Sequence, residues 1–212
     1  MTQDPSAPLP VKSLLVPAVA TLTVTLLRLA GELFGWSTRL FGDSGGGGAI
    51  VGIVWLVPVF GVSFASRLAA RGPTPRPAGV VAHALGAASL VVASGAIAGL
   101  LLRLPQLGQL GVVMLAAVAG AWVASRGFPA LGRTLLLYGV AARVPVIIVM
   151  LVAILGNWHT HYNAPPPEVR DMAALTKWLL IAVIPQTFLW IPFTMIVGAL
   201  FGGLALVAVR SR

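Results

Sequence analysis

LGRTLLLYGVAARVPVIIVMLVAILGNWHTHYN, residues 131–163, is the stretch whose reading decides the fold. Between Thr134 and Gly156 its only ionisable side chains are Tyr138 and Arg143. An apolar run of that length exceeds the ~20 residues a helix needs to cross a ~30 Å hydrocarbon layer. Arg143 follows Arg133 by ten residues, which at ~1.5 Å per residue puts it roughly 15 Å deep, close to the midplane. A guanidinium at that depth costs ~2.5–3.5 kcal/mol on insertion scales, so it is expected to face protein, with a partner or an anionic ligand. Pro145 removes the donor that the Ala141 carbonyl would receive and predicts a kink. Past the outer end, Trp158 and Tyr162 read as interfacial anchors.

Composition agrees. The 212 residues are 58% hydrophobic and 9% charged, with a mean hydropathy of +0.96. Soluble domains carry ~25% charged residues, so this is an integral membrane protein in contact with a lipid bilayer. The net charge of +9 is scattered over short loops. It therefore orients the chain in the bilayer, and no nucleic-acid partner is expected. Cysteine is absent, which excludes disulfides, thiolate metal sites and a cysteine nucleophile. Arginine outnumbers lysine, and alanine and glycine are abundant. That usage suits a GC-rich bacterial genome.

Further apolar runs cover residues 13–35, 49–66, 79–102, 110–125 and 178–209. With residues 134–156 they predict an all-α, polytopic transmembrane bundle of about six spans, a single domain over 13–209. Residues 1–12, with Pro5, Pro8 and Pro10, read as a disordered tail. The first run is too long for the apolar region of a signal peptide and is read as a retained span. Gly95 with Gly99, and Ala116 with Gly120, are spaced for close helix approach. In the last run Pro185 and Pro192 predict bends, and Gln186, Trp190, Thr194, Gly198 and Gly202 share one face. Placing both termini in the cytoplasm puts Lys12, Arg67, Arg71, Arg76, Arg126, Arg133, Arg210 and Arg212 inside, against Arg39, Arg103, Arg170 and Lys177 outside. That asymmetry is the expected one. Segment 157–177 then becomes an extracytoplasmic loop of a bacterial inner-membrane protein.

Polar residues inside the spans are few. Thr21, Thr25, Arg28 and Glu32 fall four, three and four apart on one helical face that must turn from lipid. Arg28, Glu32 and Arg143, with Tyr138 and Gln186, are the candidate ligand-binding residues. A contact between Glu32 and Arg143 is expected if the first and fifth spans are neighbours. Two cations sharing one carboxylate would leave a positive charge for an anionic or lipid-like small ligand. In the outer loop His159 and His161, with Glu168 or Asp171, are candidate ligands for zinc or another divalent metal. Haem is not expected, because His83 lies near the inner face and cannot share a haem with either loop histidine. Gly42-Asp43-Ser44-Gly45 resembles the nucleophile motif of secreted serine proteases and the Gly-x-Ser-Gly of rhomboid proteases. The rhomboid serine comes later in its chain, however, and here the stretch reads as a glycine linker.

Val57-Pro58-Val59 and Val144-Pro145-Val146 fall at matching places in two three-span halves. Inverted repeats with interrupted helices are a transporter pattern. The leading expectation is therefore non-enzymatic: a small permease-like or accessory membrane protein with a polar site in the outer half of its bundle. A membrane-embedded metal-dependent hydrolase using the loop histidines is the alternative, and a structural subunit bound to membrane-protein partners is the third.

Overall fold

The computed structural model describes residues 7–42 and 50–210. The described residues form helices and no strands. In chain order the helices are α1 (Leu15–Leu33), α2 (Leu56–Ala69), α3 (Pro77–Ala96), α4 (Gln106–Gly127), α5 (Pro129–Leu155) and α6 (Ala174–Arg210). A tight 3-10 turn, Val11–Leu14, leads into α1, and a π-helical turn, Ile97–Leu101, prolongs α3. Five of these are long and apolar enough to cross a membrane, which makes the chain a multi-pass membrane protein.

The exception is α2, where the sequence reading expects a full span. Its 14 residues reach only about 21 Å. Residues 50–55 are apolar but run as bends and turns. They combine Gly52 with β-branched Ile50, Val51, Ile53 and Val54, all poor helix formers. Hydropathy alone does not distinguish such a segment from a helix. Pro58 consequently stands in the first turn of α2, where a proline costs no hydrogen bond. Pro145 lies inside α5. The two prolines are thus not equivalent interruptions.

Packing is built on small residues. A Cβ on Gly61 of α2 would sit on the carbonyl of Gly198 in α6, and one on Gly202 would press on Ala65. Gly120 of α4 lies against the backbone of Ala87 in α3. Without a hydrophobic drive between helices in lipid, such close approach supplies the van der Waals contact that holds them. Phe64, Leu131, Leu135 and Tyr138 fill the centre.

The prolines of α6 act through the turn before them. A proline ring clashes with the carbonyl four residues back. For Pro185 that is Ile181 and for Pro192 it is Phe188. Each lies in a widened π-helical turn, Leu179–Val183 and Gln186–Trp190. The bends expected from sequence are thus taken up as two π turns.

Contacts place both described ends on one face of the bundle. Leu9 donates its N–H to Thr134 Oγ1 at the start of α5 (3.0 Å). Arg210 bonds Thr74 Oγ1, between α2 and α3, at 2.9 Å. The tail expected over residues 1–12 is therefore anchored at its end, with Leu9 buried. Residues 1–6 lie outside the described residues, as do Asp43 and Ser44 of the protease-like motif.

Candidate functional site

The polar stripe of α1 is turned inward along its whole length. Thr21, Thr25 and Arg28 are buried, and the Glu32 side chain is fully so. Thr21 and Thr25 satisfy their hydroxyls on the carbonyls four residues back, at 2.8 and 2.9 Å. Thr21 Oγ1 also meets Tyr138 OH of α5 at 2.9 Å. Arg28 donates to Glu32 Oε1 at 2.8 Å and to the Gly42 carbonyl at 3.1 Å.

Glu32 then grips the loop between α5 and α6. The His161 N–H donates to Glu32 Oε2 at 2.9 Å. His161 Nδ1 lies 2.5 Å from Glu32 Oε1, close enough for an ion pair but not aimed as a hydrogen bond. Burial holds the imidazole below its ordinary pKa, against the pull of the carboxylate. Next to it, Tyr162 OH donates to the Thr25 carbonyl at 3.1 Å. One carboxylate thus receives a guanidinium from its own helix and a backbone amide from a loop 129 residues away.

Arg143 stands apart. Nη1 reaches Gln186 Oε1 of α6 at 3.5 Å, and Cζ sits 5.0 Å from the centre of the Trp190 ring. Its Nε has no hydrogen-bond partner, although the residue is only 4% exposed. Among the described residues no carboxylate pairs with it. The expected Glu32–Arg143 contact does not form, and the register of the two helices explains why. Thr21 faces Tyr138. Glu32 lies eleven residues beyond Thr21 and Arg143 only five beyond Tyr138, so at ~1.5 Å per residue they are offset by about 9 Å.

A cavity of about 510 Å³ joins these groups. Arg28 and His161 line its outer part, and Arg143, Gln186 and Trp190 line its depth. Val24, Ile53, Met150, Val146, Ile181 and Phe193 are among its apolar walls. The volume falls in the range of small-molecule sites. Arg28 is neutralised by Glu32, so Arg143 is the uncompensated cation among the described lining residues.

Of the sequence candidates, Arg28, Arg143 and Gln186 meet in this cavity, and Glu32 backs it. Tyr138 does not line it; the ring is packed edge-on by Phe60 and Phe64 beneath. His159 and Glu168 are exposed. Among the described residues no three histidine or carboxylate side chains gather as a metal cluster. Trp190 and Met150 are lining residues that sequence reasoning did not single out as binding groups. The four-residue spacing of Trp190 from Gln186 is the signal that points to the first. No family model matches the chain, and no curated protein or solved structure matches it either.

Proposed function

We propose that this is a small permease-like inner-membrane protein that binds an anionic ligand in the outer half of its bundle. The observation that carries the reading is Arg143, a nine-tenths buried guanidinium that lines a 510 Å³ cavity without a carboxylate partner. An ionisable group held in a membrane-spanning helix against that cost marks a ligand or ion path by default. Gln186 and Trp190 hold the guanidinium plane at the cavity wall, the first by a hydrogen bond and the second by cation–π attraction. Both lie in a π-helical turn, a feature frequent at functional sites. In this reading both termini are cytoplasmic and the outer loop covers the mouth.

Anion-dependent melting of the purified chain in a nonionic detergent tests the proposal. Acetate, inorganic phosphate and octanoate are the probes. At least one should raise Tm saturably in the parent and not in Arg143→Met. An equal response of both proteins to all three anions would remove Arg143 as the binding group.

A further inference from the structure

We infer that the cavity takes a monoanionic amphiphile from the surrounding bilayer, its two-oxygen head on Arg143 and its apolar chain leaving sideways between α1 and α2. This rests on the anion-binding reading above and names the class of ligand.

The head follows from the guanidinium. Nη1 is engaged by Gln186, and Nε is buried without a hydrogen-bond partner. The edge that carries Nε is the side-on fork, which matches two oxygens of one carboxylate or phosphate. The Trp190 ring, 5.0 Å from Cζ, helps hold the group in place by cation–π attraction. One uncompensated cation calls for one negative charge. Arg28 is already paired with Glu32, and burial favours the neutral imidazole of His161.

The tail follows from the walls. Beyond Arg143 the lining is mostly Val, Ile, Met, Trp and Phe. A short hydrophilic anion would leave those surfaces against water. Each methylene buried there should tighten binding roughly three- to fourfold.

The exit follows from helix packing. α1 leans on α5, and no comparable contact joins it to α2 or α6. Val24 of α1 faces the cavity across from Pro58 of α2 and Val197 of α6, two helices that pack on each other but not on α1. All three are half-buried. A chain that passes between α1 and that pair stays in apolar surroundings.

Calorimetric titration of the full chain in a nonionic detergent tests this with dodecanoate, dodecanol, acetate and dodecanedioate on the parent and Arg143→Met. Dodecanoate should bind the parent saturably, one per chain, and Arg143→Met at least about tenfold more weakly. Dodecanol lacks the charge and acetate lacks the chain, so each should bind the parent at least about tenfold more weakly than dodecanoate. Dodecanedioate should be equally disfavoured, because its second carboxylate would have to enter hydrocarbon. Acetate binding as tightly as dodecanoate, with Arg143→Met losing both, would overturn the amphiphile and keep the anion site. Equal binding of dodecanedioate and dodecanoate would put the far end in water and overturn the lateral exit. Equal binding of dodecanol and dodecanoate, unaffected by Arg143→Met, would overturn this inference and the anion site together.

Discussion

Glu32 and Arg143 are both charges inside helices, yet they differ in what their removal strands. Glu32 holds Arg28 and the His161 amide. Glu32→Gln leaves a buried guanidinium without its counter-charge, a loss on the ~3–5 kcal/mol scale of a buried pair broken from one side. Arg143→Met removes a guanidinium that no carboxylate offsets, so stability should hold or rise. Thermal unfolding in detergent should therefore rank Glu32→Gln well below Arg143→Met. Because the two groups do not touch, the double variant should be additive within ~0.5 kcal/mol. A larger coupling would mean a shared network. The α1 stripe was legible in sequence because helical spacing alone aligns Thr21, Thr25, Arg28 and Glu32. The Glu32–His161 contact was not, because nothing local marks a partner 129 positions away.

Among the elements, the α2–α6 seam depends on backbone contact at glycine. Gly61→Ala would drive a methyl into the Gly198 carbonyl, and overpacking of that kind costs about 1–3 kcal/mol. Gly86 of α3 has open space around its Cβ position, so Gly86→Ala should be neutral or gain up to ~1 kcal/mol from helix propensity. Melting both variants checks this; similar Tm values would show that the seam is not tightly packed. The long helices could be read from hydropathy, and Gly198 and Gly202 from their four-residue spacing. Hydropathy misplaced the start of α2, since an apolar turn and an apolar helix have the same composition. Prolines foretold bends in α6, but their relief as π turns depends on where the carbonyl four residues back can move.

For the whole molecule, the contacts Leu9–Thr134 and Arg210–Thr74 put both described ends on one face, and basic residues of the loops favour that face as cytoplasmic. The chain has no cysteine, so single cysteines report sidedness cleanly. Pro73→Cys and Glu168→Cys replace exposed residues on opposite faces. In intact cells an impermeant maleimide should label Glu168→Cys and leave Pro73→Cys unlabelled. Labelling of both, or of Pro73→Cys alone, would reverse or break this topology.

The attachment of α1 has a consequence for biogenesis. Its polar partners on α5 and the outer loop lie 117 to 137 residues downstream. At a synthesis rate of ~5–20 residues per second, α1 waits roughly 6–27 seconds for them. During that interval it must sit in the insertion machinery or in lipid without its neighbours. The Arg28–Glu32 pair forms within the helix itself, one turn apart. It lets α1 enter as a locally neutral rod, and the same carboxylate later receives the loop when α5 arrives. The salt bridge is thus a provisional cap first and a docking point afterwards.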